Sequence, residues 1–212
     1  MPSIAIVGNG PVSKDQSGLI DACNVVVRFN EWKNYGQNSG LKADILCITN
    51  MGVPANRIIR GALIGKVPHL DQISEIWFPR DSEVHKAHTA EFAPEYLLNE
   101  FDDLSVSLLD SNNLSAKRIV RFSAGFNRKI FRTLLLLGHR SFHCPSTGIF
   151  AIEYILGEER FAGYQKFLFG FGFQGWRGHP WATERDLVIY RSLTRDDFHL
   201  GTQPRKPDDS RN

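Results

Sequence analysis

The feature that most constrains the fold is a short apolar run near the amino terminus that ends on glycine. Residues 4–7 are followed at once by Gly8-Asn9-Gly10, and such a run closed by glycine is typical of a strand buried on both faces of a sheet. A second run, residues 24–29, follows after residues 13–22, which we predict to be a helix with Ser13 as its N-cap. The chain therefore opens with a βαβ unit.

The same pattern recurs further along the chain and alternates with helical segments. We predict strands at residues 44–49, 75–78, 104–109 and 165–169, and helices at residues 83–101, 116–137 and 147–156. This alternation predicts an α/β fold, a single Rossmann-like domain with a mostly parallel sheet flanked by helices. Because the 212 residues show no composition break, we assign 1–201 to one domain and 202–212 to a flexible tail.

The composition is typical of a globular protein and disfavours both nucleic acid as a partner and a membrane-spanning helix. The 25 basic and 23 acidic residues give a net charge of +2, which does not favour nucleic acid as a partner. The apolar run at 134–137 is far below the roughly 20 residues of a membrane span, and no leader is recognisable, although a peripheral membrane contact stays open. Three cysteines without CxxC spacing suit a reducing compartment, so we expect a cytoplasmic protein.

The ends of the first two strands are the first candidate site, because ligands of open α/β sheets bind beyond the carboxyl ends of the strands. Gly8-Asn9-Gly10 could let the backbone approach a phosphate. Asn30 would lie near Asn9, and the two amides could donate to phosphate oxygens. In the alternative interpretation both asparagines only cap turns. Glu31, 23 residues after Gly8, could instead bind a ribose, as in an NAD-type protein.

Two further segments combine polar groups with a predicted helix start. Ser146, Thr147 and Gly148 open an apolar helix, where they suit an anion or simply form an N-cap. Pro180 at the first position of another helix would place His179 at its start, with Glu184 about one and a half turns further on. The positive helix end disfavours an imidazolium ion, so His179 is a candidate general base, or else a packing residue.

No metal site is predicted from the motifs. His85 and His88 are spaced along one helix face, but nothing completes a ligand set, so we predict a solvated face. The chain lacks the Asp-x-Asp pair that would hold a divalent ion with a nucleotide-sugar diphosphate. It also lacks a Walker-A lysine loop and a Gly-x-Ser-x-Gly elbow. We therefore expect no metal cofactor and disfavour P-loop kinases and serine hydrolases.

Taken in order, these segments resemble the sialylmotifs of the animal-type sialyltransferase family. Residues 6–30 resemble the long motif, and 145–149 followed by 169–172 resemble the short motif. His179 with Glu184 resembles the very short motif. The run Gly-Phe-Gly-x-x-Gly-Trp-x-x-His at 170–179 is also similar to short bacterial proteins known as urease operon accessory proteins. Residues 51–140 match no motif.

The resemblance implies a variant GT-A fold that binds CMP-sialic acid without metal and transfers the sugar with inversion. It implies a nucleotide site formed by Asn9, Gly10, Asn30, Ser146, Thr147, Gly148, Gly172 and Trp176. It also implies two catalytic residues in the very short motif, His179, which would remove the proton of the acceptor hydroxyl, and Glu184. Arg177 could stabilise the leaving group or be a surface residue. The two cysteines that pair in the family fall here at Ile4 and near Glu159, in keeping with a reducing compartment.

Three functions remain open at this level. The first is a metal-independent inverting glycosyltransferase that transfers a CMP-activated ulosonic acid, sialic acid or Kdo, to a glycan or glycolipid acceptor. The second is an accessory protein that keeps the CMP site without transfer, and the third is a small NAD-type Rossmann protein. The first two require the loops after the first two strands and the Pro-Ser-Thr-Gly helix start to meet at one site, opposite an imidazole.

Overall fold

One parallel sheet organises the part of the chain that the structure describes. The structure is a computed structural model that describes residues 1–12, 14–62, 70–91, 100–138 and 142–201. The strands are β1 Ser3–Val7, β2 Val25–Phe29, β3 Ile45–Cys47, β4 Glu75–Phe78, β5 Arg118–Arg121, β6 Gln165–Phe169 and β7 Phe198–Leu200. They pair in the order β5-β4-β3-β2-β1-β6-β7, all parallel. The predicted α/β class is confirmed.

Helices cover both faces of this sheet. They are α1 Ser17–Asp21, α2 Gly52–Arg57, α3 Ser82–Ala90, α4 Ser105–Ser111, α5 Ala124–Leu136, α6 Thr147–Gly157 and α7 Trp181–Thr194. Buried side chains of α1, α2 and α4 pack in the two clusters on one face, and those of α3, α5, α6 and α7 pack in the cluster on the other. Three layers result, with the sheet in the middle.

The apolar run of β1 is explained by burial of the strand on both faces of the sheet, as predicted. Ile4 and Ile6 pack in the core cluster beneath α5, α6 and α7, whereas Ala5 and Val7 pack against Ile20 of α1 on the opposite face. Successive side chains of a strand point to opposite faces, so a central strand covered on both sides needs apolar residues at every position.

Buried ion pairs fix α6 and α7 relative to the sheet and to each other. Glu75, at the start of β4, accepts two hydrogen bonds from Arg160 at 2.7 and 2.9 Å, just beyond α6. Glu153 of α6 accepts two from Arg191 of α7, both at 2.9 Å. Bidentate arginine–carboxylate pairs add geometric specificity as well as energy. The first pair connects the chain just after α6 to the amino end of β4, and the second connects the middle of α6 to the last turn of α7.

Two predicted elements are wrong. Residues 104–109 are not a strand but belong mostly to α4, where Ser105 and Leu108, three positions apart, are buried while Val106 is 65% exposed. The alternation of leucine and serine imitates a strand, but packing against the sheet selects a helix with period 3.6. The predicted helix 116–137 begins with β5, a half-exposed edge strand, and becomes helical only in α5.

Other boundaries shift less. Strands predicted at 24–29 and 44–49 are β2 and the shorter β3, and the helix predicted from 83 ends with α3 at Ala90. The remainder of that prediction at 92–99, the Ser13 N-cap and the tail 202–212 fall outside the described residues. Gln16 precedes α1, and Pro180 is the N-cap of α7 rather than its first residue. The strand β7 was not predicted.

His85 and His88 do not lie on a solvated face, so that prediction is wrong. His85 is fully buried, its Nδ1 lies 2.9 Å from the Asp81 carbonyl oxygen, and its ring packs edge-on against Phe131 at 4.9 Å. Burial, with a smaller effect of Arg80, lowers the pKa of His85 to about 3. This face of α3 packs against α5 and is part of the core, and the spacing of the two histidines along the chain does not indicate such packing.

This buried imidazole makes stability depend on pH. An unfolded histidine takes up a proton near pH 6.5, whereas native His85 resists protonation until about pH 3, so the free energy of unfolding falls as pH decreases between these values. We expect His85→Phe to remove this loss and to gain about 2 kcal/mol on the wild type between pH 7.5 and pH 5. Urea denaturation at several pH values measures it. A difference that stays constant with pH would contradict the prediction.

Candidate functional site

A cavity of about 620 Å³ lies beyond the carboxyl ends of β1, β2 and β6. The chain runs outward from β1 to β5 and then crosses back to β6, so the connections on the two sides of β1 leave toward opposite faces and open a crevice. Most residues singled out in the sequence line this cavity: Gly8, Asn9, Gly10, Asn30, Ser146, Thr147, Gly148, Gly172 and His179. Segments distant in sequence thus meet at one site.

The start of α6 supplies free hydrogen-bond donors to the cavity. Ser146 is the N-cap, and its Oγ accepts from the Ile149 N–H at 3.2 Å. The N–H groups of Thr147 and Gly148, at the first two helical positions, have no acceptor among the described residues. Two donors at the positive end of an 11-residue helix form a local environment that favours an anion.

Glu184 supports this helix start from behind. Its two carboxylate oxygens accept from the Ser146 N–H at 2.7 Å and from the Ser146 hydroxyl at 2.6 Å. Burial raises the pKa of Glu184 to about 7, and the carboxylate is 1% exposed. Glu184 does not line this cavity, so its contacts position Ser146, whereas the sequence had predicted a catalytic role for it.

The glycines after β1 serve loop packing rather than a backbone phosphate cradle. The Gly8 N–H donates to the Phe169 carbonyl at 2.8 Å and the Gly10 N–H to the Gly170 carbonyl at 2.7 Å. A Cβ on either glycine would lie 2.6 Å from the Gly170 carbonyl oxygen. The two loops pack main chain against main chain, which only glycine permits. The N–H groups of Gly8 and Gly10 are therefore not available to a phosphate, although both glycines line the cavity.

The two asparagines have capping bonds and also line the cavity. Asn9 donates from Nδ2 to the Phe29 carbonyl at 3.1 Å and accepts from the Lys33 N–H at 3.1 Å. Asn30, in the left-handed region with φ 50°, accepts from the Thr49 N–H at 2.9 Å. These are the bonds of the turn-capping alternative. The Asn30 amide nitrogen has no partner within the described part of the chain and remains a donor for a ligand.

His179, at the end of the glycine-rich run, has one ring nitrogen engaged in a hydrogen bond. Its Nδ1 lies 2.7 Å from the Cys144 carbonyl oxygen, which can only accept, so Nδ1 carries the proton and Nε2 keeps its lone pair. The His179 ring stands nearly perpendicular to the indoles of Trp176 and Trp181, with centroids 4.9 and 4.8 Å away. Burial and then the charge of Arg80 lower the pKa of His179 to about 4. The imidazole is neutral at pH 7 and can accept a proton.

Several neighbours differ from the sequence-based expectation. Trp176 lines a second cavity and not the first, and Arg177 is exposed and lines neither. Phe171, part of the segment that resembles the short motif, had no predicted role of its own, and its ring fills the space beside Gly148, where a Cβ would lie 2.6 Å from it. Lys33, also missed, lines the first cavity and supplies a positive charge. Lys33 lies three residues after Asn30, which directly follows β2, and this position close to a strand end could have identified it.

The second cavity, of about 400 Å³, adjoins the first. Asn30, Thr147 and His179 line both. Arg80 lies in its wall, in the 51–140 region that matches no motif. Because Arg80 follows β4 by two residues, the rule for strand ends could have identified it. His179 therefore stands between two compartments, one beside the α6 N-terminus and one beside a guanidinium group.

The geometry disfavours the NAD-type interpretation. Glu31 forms an ion pair with Arg57 and lines neither cavity. Among the described residues, no group of three or more His, Cys, Asp and Glu side chains is placed to hold a metal ion. No helix within those same ranges has the length and apolar character needed to cross a membrane.

Comparisons with known proteins agree with the architecture. The crystal structure of a mammalian sialyltransferase matches with a TM-score of 0.57 and 16% identity, covering 96% of this chain and 70% of that one. A mammalian sialyltransferase in complex with Gal-beta-1-3GalNAc-ortho-nitrophenol gives 0.55, with the same identity and coverage. The protein therefore has a sialyltransferase-like fold.

In sequence, the chain is 30% identical over 187 residues to the urease operon 23 kDa accessory protein of Rhizobium meliloti (strain 1021). The match spans 87% of this chain and 86% of that protein. The chain belongs to the family of this accessory protein. No family model matches it.

If Glu184 positions Ser146 through its hydrogen bonds, two substitutions of Glu184 should differ in their effects on stability and CMP binding. Glu184→Ala leaves the buried Ser146 N–H without an acceptor, so we expect a loss of about 1–3 kcal/mol of stability and weaker anion binding at α6. Glu184→Gln keeps one acceptor for that N–H and can donate to the hydroxyl oxygen, so it should retain most of both. Thermal unfolding and titration with CMP measure the effects. Equal losses in the two variants would contradict positioning.

Proposed function

We propose that the protein is a glycosyltransferase that uses a CMP-activated ulosonic acid, sialic acid or Kdo, and acts with inversion and without metal on a glycan or glycolipid. The sialyltransferase-like fold supports the reaction class. The observation that carries the proposal is the neutral His179 imidazole between two adjoining cavities, with the α6 N-terminus lining the first.

The first cavity suits a nucleoside monophosphate. The free N–H groups of Thr147 and Gly148, the helix end and the Lys33 ammonium group offer hydrogen bonds and partial positive charge to one phosphate. None of the described residues lining this cavity is a carboxylate. CMP leaves as a monophosphate, so these donors would stabilise the charge that develops as the bond to the sugar breaks.

His179 would act as the general base. The acceptor hydroxyl would lose its proton to Nε2 while its oxygen bonds to the sugar carbon, and the carbon–phosphate oxygen bond breaks from the opposite side. A pKa of about 4 keeps the base form populated at pH 7 but makes it weak. An anionic donor bound beside it would raise the pKa of His179, because opposite charge stabilises the imidazolium form.

Nucleotide binding is the first test. At a concentration one hundred times its dissociation constant, CMP should add about 2.7 kcal/mol to the free energy of unfolding. NAD at the same concentration should add nothing, since Glu31 is paired with Arg57. Thermal unfolding with each ligand measures this. Protection by NAD alone would contradict the assignment of the first cavity to CMP.

Catalysis is the second test. His179→Ala should lower kcat by roughly 10²- to 10⁴-fold while CMP affinity changes little, because the imidazole acts in the transition state. Release of CMP from CMP-sialic acid or CMP-Kdo with a mixture of glycan acceptors measures turnover. His199→Ala, on β7, is the control and should turn over like the wild type. An unchanged rate in the His179 variant would remove His179 from this role.

A non-catalytic accessory protein that binds CMP is the second candidate. The name of the 30% identical relative favours it. CMP protection without CMP release from either donor, with all acceptors present, would select this candidate. We also propose a reducing, cytoplasmic location, because the three cysteines, Cys23, Cys47 and Cys144, are all buried and unpaired.

A further inference from the structure

The wall of the second cavity contains a guanidinium group, Arg80, whose charge acts on the buried Glu184 carboxylate without forming an ion pair with it. Arg80 donates from Nη2 to the Pro145 carbonyl at 3.2 Å, while its Nε is buried and without a hydrogen-bond partner. None of the ion pairs formed by the described residues includes Arg80. Glu100 also lines the cavity but is exposed and does not pair with Arg80. A partly buried guanidinium group with an unused donor is unusual unless it serves a ligand.

A second polar group in the same wall is also unused. Thr49 is 2% exposed, and its hydroxyl has no hydrogen-bond partner although its N–H donates to Asn30. Much of the remaining lining is apolar and includes Met51, Val53, Pro54, Phe101 and Trp176. The cavity thus combines one positive charge, one free hydroxyl and an apolar wall.

We propose that the second cavity binds a carboxylate, held by the Arg80 guanidinium group and the Thr49 hydroxyl. One cation in a largely apolar wall matches a singly charged anion better than a phosphate dianion, whose second charge would stay uncompensated. The planar guanidinium also fits the two oxygens of a carboxylate. This inference rests on the proposed function, because His179 and Thr147 line both cavities and would place the carboxylate on a substrate at the reaction centre.

A carboxylate bound to Arg80 would also raise the pKa of His179, the proposed general base. Arg80 is the charged group that, after burial, most lowers the pKa of His179, and Cys144, His143 and His85 are its other titratable neighbours. An anion on Arg80 would cancel part of this effect. His179 would then become a stronger base when the second cavity is filled, in addition to the effect of an anion in the first.

Two sources can supply this group, the sugar acid of the donor or an acidic acceptor, and titration calorimetry distinguishes them. If the donor supplies it, the wild type should bind CMP-N-acetylneuraminate at least about tenfold more tightly than CMP, the size expected for a charged hydrogen-bonded contact. If the acceptor supplies it, the CMP-saturated wild type should bind methyl glucuronide and not methyl glucoside.

In either case Arg80→Gln should abolish the preference for the carboxylate probe and leave CMP affinity within about twofold, because Arg80 does not line the first cavity. Arg185→Gln, which removes an equal charge from the exposed face of α7, is the matched control and should behave as the wild type. Thr49→Val loses no hydrogen bond of the side chain, so it should fold and still weaken carboxylate binding several-fold. If Arg80→Gln does not fold, Thr49→Val alone tests whether the second cavity binds a carboxylate.

The proposal is overturned if the wild type binds CMP-N-acetylneuraminate no more tightly than CMP and methyl glucuronide no more tightly than methyl glucoside. It is equally overturned if the preference survives both Arg80→Gln and Thr49→Val. Failure of the proposed function has a different signature, namely no binding of CMP at all. Methyl glucuronide against methyl glucoside without nucleotide still reports on the carboxylate site in that case.

Discussion

The contact between Glu184 and Ser146 is the interaction on which the candidate site depends. One buried carboxylate receives both the N–H and the hydroxyl of the α6 N-cap, and it belongs to the first turn of α7, just after His179. The free donors of α6 and the imidazole are therefore held in place by one pair of hydrogen bonds. A buried carboxylate is tolerated only when such donors satisfy it, so loss of either partner would disturb both halves of the site.

The site divides its electrostatics between two compartments joined at His179. The first uses helix N–H groups, an amide and Lys33, which suits a monophosphate leaving group. The second uses the single charge of Arg80. Between them the imidazole is neutral and weakly basic, so its strength as a base would depend on the anions that occupy the cavities. The sialyltransferase-like fold and the accessory-protein family are compatible with this arrangement, which either candidate function could use.

Where the sequence failed, tertiary packing was the cause. The leucine–serine alternation at 104–109 fits a strand by period, but contact with the sheet selected α4. The edge strand β5 is half exposed and lacks the apolar run that identifies β1, so its residues fit the helical pattern of the segment that follows. His85 lies on a helix face that α5 covers, and no local pattern reports such a cover. Arg80 follows a strand end but has no motif around it.

The parallel α/β class and most of the first cavity can be predicted from the amino-acid sequence, because strand burial and strand-to-helix turns leave local patterns of apolar residues, glycine and capping side chains. The role of each group depends on the folded arrangement. It committed the Gly8 and Gly10 N–H groups to the loop after β6, turned Glu184 toward Ser146 and brought Arg80 to the wall beside His179. Hydrogen-bond partners and neighbouring charges depend on segments far apart along the chain, and their contact exists only once the sheet has formed.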